Sequence, residues 1–313
     1  MDTNNYFDIV VIGNAGIDTN IYMQGTEIDF SVEANFTENL DYVGQAGGYT
    51  SRGFAQLGWR TGFLGYLGAD YHGEFIRRVF AHDGIDISTI FTDAAGTARS
   101  VNFMYPDGRR KNFYDGKSHL TLKPALDKCQ KLLSKTRLAH FHIPNWARML
   151  LPIATEAGIV ISCDIQDVIE LQDPYRQDFM DAADILFCSA TNLEDPIAFA
   201  RQRLVNKPDQ VIIMGMGSDG CLSATQQGIW LHPAVDLDRA VIDTNGAGDG
   251  LAVGFLASYV LEQRSLHASV LFGQIAARHT CTIKASTDNL IRQAELHQWF
   301  AQLLPYDSPR RID

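Results

Sequence analysis

The sequence predicts an α/β protein: a mostly parallel sheet with helices on both faces, and a small extra β-sheet projecting from it. Three observations carry that expectation. Short apolar runs alternate with helix-patterned segments over most of the 313 residues, the β-then-α rhythm of a parallel sheet covered on both sides. Two polar, strand-like regions, residues 20–43 and 99–115, break the rhythm. A glycine-rich turn, Gly246-Ala247-Gly248, runs straight into an apolar, helix-compatible segment from Gly250 to Glu262.

Ile9-Val10-Val11-Ile12 reads as the first buried strand, ending at Gly13. Asn14 and Asp18 follow it. The C-terminal ends of parallel strands line the ligand crevice, so Asp18 is placed to meet a polar ligand. Its two acceptor oxygens suit a pair of vicinal hydroxyls; an Asx-turn is the plainer reading. Residues 44–58 hold Gly44, Gln45, Gly47, Gly48 and Tyr49 ahead of a helix that ends in Leu57-Gly58. Phe75 to Ala81, the stretch near Pro124 to Thr136, and Phe179 to Ala183 read as helix pieces. Residues 99–115 alternate around Pro106-Asp107-Gly108, a hairpin signal, with Arg109, Arg110 and Lys111 as solvated charge at its tip. His140 and His142 alternate on an apolar run and read as structural histidines. Trp146 suits a pocket wall and ordinary packing equally. Ile159-Val160-Ile161, Ile185-Leu186-Phe187 and Val211-Ile212-Ile213-Met214 read as further buried strands.

Composition limits the function classes. Hydrophobic residues make up 46% and charged ones 20%, ordinary for a globular chain able to bury one large core. The net charge of −11 argues against a nucleic-acid surface, which would repel it. Cys129, Cys163, Cys188, Cys221 and Cys281 are dispersed, odd in number and without a Cys-x-x-Cys spacing. They read as reduced thiols of a cytoplasmic protein, three of them as core fillers. Met1 to Phe7 has no basic or long apolar stretch, so no signal peptide is expected. No run approaches a membrane span of roughly 18 apolar residues.

The chemistry is written at Asp243-Thr244-Asn245-Gly246-Ala247-Gly248-Asp249-Gly250. Small residues let the backbone approach a ligand, and the amides of Gly246 to Gly248 converge where a helix begins, a favourable place for phosphate oxygens. Asp249 beside such a nest faces the charge the nest attracts. It is explained by a general base taking a proton from an attacking hydroxyl, or by a plain helix cap.

This octapeptide and its small-residue helix resemble the C-terminal signature of the ribokinase-like carbohydrate kinases, the phosphofructokinase-B family. The resemblance spans about Asp8 to Ala301. It implies a Rossmann-like three-layer sandwich, a single domain over 1–313, with residues 20–43 and 99–115 as the lid. It also implies Gly246, Ala247 and Gly248 as the anion hole, Asp249 as catalytic base, and Asp18 with Asn14 on substrate hydroxyls. Residues 43–58 are similar to the family's N-terminal signature, a Gly-Gly pair with an Asn four residues on. Anchored on Leu57-Gly58, the pair falls on Gly44-Gln45 and the Asn on Tyr49, a departure. A second register places the pair on Gly47-Gly48. Residues 65–73 resemble Gly-x-x-Gly-x-Asp-x-x-Gly, with Asp70 structural.

Further along, the family's Asn-x-x-Glu, which serves magnesium through water, falls on Ser189 and Asn192, or on Asn192 and Asp195; Glu194 is a third candidate. Gly215, Gly217 and Gly220 resemble the nucleotide-side loop, although an ordinary β-turn fits as well. Phe272 to Ala277 resembles the family's helix bordering the adenine pocket, with Gln274 where an Asn is common. Asp243, Asn245 and Ser286 match the region that holds a monovalent cation in many relatives, with Ala285 where Gly is usual.

The resemblance therefore implies an ATP- and Mg²⁺-dependent kinase, with K⁺ as an optional activator, acting on a hydroxyl of a small sugar. A nucleoside acceptor stacked on Tyr49 is the alternative, and a non-catalytic sugar-binding homologue is a third reading. A homodimer through the lid edge fits the family. Neither nucleic acid nor membrane is expected as a partner.

Overall fold

The computed structural model describes residues 7–107, 109–168, 170, 172–305 and 309–312. Gly108, in the expected hairpin turn, and residues 1–6 of the N-terminal reading lie outside the described residues. β1 (Phe7–Ile12) leads into β2 (Gly16–Met23), and β3 (Thr37–Gly44) returns alongside it. α1 (Ala46–Gln56), β4 (Thr61–Gly68), α2 (Tyr71–His82) and β5 (Asp86–Asp93) follow, then the hairpin β6 (Arg99–Met104) and β7 (Arg110–Asp115). Next come α3 (Leu126–Leu133), β8 (Thr136–Phe141), α4 (Leu151–Glu156), β9 (Val160–Asp167), α5 (Gln177–Ala182), β10 (Ile185–Ser189), α6 (Pro196–Asn206) and β11 (Val211–Gly215). β12 (Cys221–Thr225), β13 (Gly228–His232), α7 (Ala247–Leu256), α8 (Leu266–Thr280), α9 (Gln293–Gln302) and β14 (Arg310–Arg311) complete the chain.

Among the described residues the large sheet has ten strands in the order β14-β13-β12-β11-β10-β9-β8-β1-β4-β5. It is parallel from β11 to β5 and antiparallel at its C-terminal edge. Alternate residues of β1 face opposite layers, as strand geometry requires. Ile9 and Val11 join a core with α1, α2, α7 and α8, while Val10 and Ile12 join a second core with α3, α4, α5 and α6. The expected mostly parallel, three-layer architecture is present. No helix of the described residues is long and apolar enough to cross a membrane.

The two regions that interrupt the rhythm form one four-stranded sheet, β3-β2-β6-β7. The hairpin spans Arg99 to Asp115, as expected. The sheet starts earlier than residue 20, because β2 leaves β1 across only three residues and already pairs at Gly16. Asp18 therefore rides on the small sheet rather than on a loop of the large one. The expected helix near Pro124 to Thr136 is shorter, because Thr136 opens β8. Asp70 caps α2, accepting the Gly73 N–H at 2.8 Å and the Thr97 N–H at 2.7 Å. Trp146 is fully buried, edge-on to Tyr66, so it packs and walls no pocket. Among the described residues the cysteines are free, with Cys163, Cys188 and Cys221 buried in the two cores.

α7 and α8 pack backbone to backbone. A Cβ at Gly254 would sit 2.4 Å from the Phe272 carbonyl oxygen, and one at Gly273 would sit 2.7 Å from the Leu251 oxygen. Helix propensity alone favours Ala over Gly by about 1 kcal/mol. Here the clash with backbone wins. Gly254→Ala should destabilise the protein by about 1–3 kcal/mol, read from the urea unfolding midpoint; a raised midpoint would overturn this account of the interface.

Candidate active site

The site lies beyond the C-terminal ends of the parallel strands, under the small sheet. Asp18 on β2 is 6% exposed. Its Oδ2 accepts the Gln45 N–H at 3.0 Å, while Oδ1 is buried without a protein partner. Gln45, at the β3–α1 junction, holds a φ of 59°, a conformation usually left to glycine. Its side-chain amide is buried with neither nitrogen nor oxygen bonded. A Cβ on Gly44 would fall 2.3 Å from Asp18 Oδ2. These contacts favour the register that puts the glycine pair on Gly44-Gln45. Gly47 and Gly48 lie inside α1, where the Gly47 N–H donates to the Asn14 oxygen at 2.9 Å. Asn14 Nδ2 donates to the Tyr114 hydroxyl of β7. Asp18 Oδ1 and the Gln45 amide thus form a pair of unsatisfied polar groups, a costly arrangement that ligand hydroxyls would relieve.

Across from them, Asp249 occupies the first turn of α7, and no side chain caps that helix. Gly246 precedes it in the left-handed region, at a φ of 74°. The turn can therefore present amides at a helix N-terminus, the geometry that favours anions. Gly248 is exposed, with open space where a Cβ would stand. Tyr49, expected to line the acceptor pocket, does something else. It is 5% exposed, donates its hydroxyl to Tyr42 at 3.0 Å, and lies flat enough that a Cβ on Gly246 would meet its Cε1 at 2.2 Å. The ring is the floor of the turn.

Burial raises the Asp249 pKa well above the usual carboxylate range, and the charges of Asp164 and Asp18 push it the same way; Arg110 opposes them. Asp18 is pushed up to about 6, chiefly by burial, against the Gln45 N–H, the hydroxyls of Ser100 and Tyr42, and Arg110. Asp164, on β9, is also raised to about 6 by burial. The ionisable atoms of His142, Asp164 and Asp249 lie within 4.8 Å of one another. His142 is buried and pushed down to about 3, so the ring is neutral. His140, fully buried, pairs with Ser162 and stands edge-on to His142.

Asp243 belongs to a different constellation. Its Oδ2 accepts from Asn20 Nδ2 and from the Tyr22 hydroxyl, each at 2.7 Å, and its Oδ1 accepts the Asn245 N–H at 2.8 Å. Asn245 Nδ2 donates to Asn20 at 3.2 Å, and Arg110 of β7 donates to Asn245 Oδ1. Ser286 Oγ accepts the Asp288 N–H at 3.0 Å. Three donors thus hold the two oxygens of Asp243, leaving about one of the roughly four acceptor positions of the carboxylate open.

On the opposite side, Asn192 Nδ2 donates to Asp167 Oδ2 at 3.3 Å, and Glu194 is exposed nearby in sequence. Asp195 caps α6 through the Ala198 N–H at 2.9 Å, which favours the Ser189/Asn192 register over the shifted one. The carboxylates and amide at these strand ends are hard oxygen donors of the kind Mg²⁺ takes, directly or through water. Gly215 ends β11; Gly217, at a φ of 59°, opens to space, whereas a Cβ on Gly220 would strike the His232 oxygen at 2.1 Å. Gln274 is buried in α8, with Nε2 donating to the His232 oxygen at 3.3 Å. Gly220 and Gln274 are thus engaged in holding the fold here.

Sequence reasoning overlooked Asn20, Tyr22, Tyr114, Asp164 and Asp167, and treated Arg110 as solvated charge. Strand alternation from Asp18 puts Asn20 and Tyr22 on the same face, the signal that could have found them. Asp164 sits on a strand whose apolar run was read only from Ile159 to Ile161.

Residues 7–292 match the pfkB family carbohydrate kinase. The acarbose 7(IV)-phosphotransferase of Actinoplanes sp. is 28% identical over 296 residues, covering 92% of this chain and 97% of that protein. The 5-dehydro-2-deoxygluconokinase of Geobacillus kaustophilus is 24% identical, covering 96% of each. Among solved structures, the microbiome-derived acarbose kinase Mak1 superposes with a TM-score of 0.86 at 25% identity, over 94% of this chain and 99% of that one. Arabidopsis thaliana ribokinase, with ribose and ATP, has a TM-score of 0.79 at 19% identity over 94% and 98%, a likeness of fold. The chain belongs to the pfkB family of carbohydrate kinases.

Proposed function

We propose that this kinase transfers the γ-phosphoryl group of ATP to a hydroxyl, preferentially a primary one, of a small sugar or sugar-like polyol. The observation that carries the reading is Asp249, a basic carboxylate in the first turn of an uncapped helix behind a left-handed glycine. Asp18, Gln45 and Asn14 orient the acceptor. Asp249 takes the proton from the attacking oxygen as the new P–O bond forms and the bond to the β-phosphate oxygen breaks. The amides of Gly246, Ala247 and Gly248 meet the charge on the moving phosphoryl group. Mg²⁺, when bound, neutralises phosphate charge, and Asp167, Asn192 and Glu194 are the residues that would hold it. Gly215 and Gly217 leave room for the nucleotide.

The relatives named for acarbose and 5-dehydro-2-deoxygluconate favour a polyhydroxylated, sugar-like acceptor. The Tyr49 ring, against Gly246, is not open to stack on a nucleoside base, so the stacking that motivated a nucleoside acceptor is lost. A non-catalytic role is disfavoured because the base and the turn are intact. Free thiols and ATP dependence suit a cytoplasmic enzyme. The edge strand of the lid, β7, is exposed along its length and is the surface through which two copies would pair.

ATP consumption with Mg²⁺ across a panel of sugars, polyols and nucleosides tests the reading. Acceptor-dependent turnover supports it; ligand-induced thermal stabilisation with no turnover would favour a binding protein. Asp249→Asn should lower kcat about a thousandfold while acceptor affinity stays within a few-fold, and unchanged kcat would remove the general-base role. Asp18→Asn keeps an oxygen for the Gln45 N–H but loses the carboxylate. It should weaken acceptor binding about tenfold or more with ATP binding nearly unchanged. Because the Asp18 pKa is raised in the folded state, the ionised group costs stability as pH rises from its unfolded value through about 6. The variant should therefore be the more stable protein at neutral pH by thermal unfolding. Tyr49→Asn should cost about 2–4 kcal/mol by opening a cavity under the turn and lower kcat without changing acceptor preference. An altered acceptor profile would return Tyr49 to the pocket.

A further inference from the structure

Asp249 has neighbours that the transfer step above leaves unused. Asp164 on β9 and His142, just past β8, reach it from below, with the three ionisable atoms mutually within 4.8 Å. Thr50 fixes the histidine's tautomer. Its Oγ1 donates to the Ala46 oxygen at 2.7 Å, so at 3.1 Å it accepts from His142 Nε2–H. That leaves His142 Nδ1 a bare acceptor, buried and without a partner. Three proton acceptors thus crowd one small, largely buried volume. Two carboxylates this close cannot both ionise freely. Geometry says which one gives way. Asp164 Oδ1 accepts the Gln166 N–H at 2.8 Å, the donor that stabilises its ionised form. Asp249 has no such donor among the described residues; the charge of Arg110 and the N-terminal end of α7 are what favour its ionised form.

We infer that Asp164 is a positioning residue for proton transfer: its charge, held by the Gln166 amide, makes Asp249 a stronger base than a solvated aspartate. A carboxylate of ordinary basicity is a poor match for a sugar hydroxyl, whose proton is far more tightly held. Raising the basicity of Asp249 narrows that gap. The substrate proton passes to Asp249 alone, which is partly exposed and returns it to solvent after the product leaves. Above its raised pKa of about 6, Asp164 is ionised and takes no proton from the substrate.

The surroundings bear on the same titration from every side. Asp18 of β2 adds negative charge, and Arg110 of β7 removes some of its effect. Tyr49 of α1 lies under the turn. His140 of β8 and Cys188 of β10 are buried behind the cluster, both in their neutral forms, because burial lowers the histidine and raises the thiol. Asp164 is the carboxylate nearest to the base that no ligand role claims.

This inference rests on the kinase reading, and one experiment separates the two. The pH profile of kcat/KM for the acceptor is measured for wild type, Asp164→Asn and Asp164→Glu, with Asp249→Asn as the blank. Without the neighbouring charge the Asp249 pKa falls. The ratio of kcat/KM at about pH 6.5, where Asp164 is still mostly ionised, to that at about pH 8 should therefore rise several-fold, up to about tenfold, over wild type in Asp164→Asn. At pH 8 kcat should fall, because the base is weaker. Asp164→Glu should restore the wild-type acidic limb. If Asp164→Asn does not fold, Asp164→Ser, neutral and still able to accept the Gln166 N–H, serves in its place with the same expected ratio. A lowered rate with an unmoved acidic limb would make Asp164 merely structural and overturn the inference. Full activity in Asp249→Asn would instead overturn the kinase mechanism itself.

Discussion

The arrangement depends on one carboxylate that ties the small sheet to the glycine turn. Asp243 accepts hydrogen bonds from Asn20 and Tyr22 of the small sheet and from the amide of Asn245 in the glycine turn. Charge-assisted bonds to a buried carboxylate are stronger than neutral ones. Removing a partner from such a network leaves an unpaired charge, with a cost well above that of the bond alone. The small sheet and the turn are therefore held in one mutual geometry. Asp18 lies two residues before Asn20 on the same strand, so the residue facing the acceptor and the residues gripping the turn belong to a single rigid segment. Arg110 closes the ring from β7 through Asn245.

A second constraint is electrostatic. Asp18, Asp164 and Asp249 lie in one largely buried region, with Arg110 as the cation acting on two of them. Such crowding lowers the stability of the fold, and chains keep it where reactivity requires it. The left-handed Gln45 and its unbonded amide belong to the same pattern: local strain and unsatisfied polar groups at the place where a ligand would complete them.

How much of this could be read from the chain depends on range. The strands at residues 9–12, 185–187 and 211–214 were legible because apolar runs report burial directly. The hairpin over 99–115 was legible from turn chemistry and alternation. The turn at Gly246 was legible because only small residues meet its backbone demands. The packing of Tyr49 under the glycine turn was not legible, because it depends on α7, an element distant in sequence. Arg110 looked like solvated charge for the same reason: its partner, Asn245, lies in another element. Asp164 carries no local signal, since one acidic residue on a buried strand is intelligible only beside its spatial neighbours. The choice between glycine registers was open in sequence and narrowed by a contact, Gly44 against Asp18, that pattern cannot supply.

The bare interface between α7 and α8 has one more consequence. With glycines at the closest points, the two helices touch through main chain, which has no rotamers to rearrange. Displacing the start of α7 would mean displacing α8 and the core packed on it. The turn at Gly246–Gly248, floored by the Tyr49 ring, inherits that stiffness. The entropy of ordering its amides is lost once, when the polypeptide folds, rather than again at each encounter with a ligand.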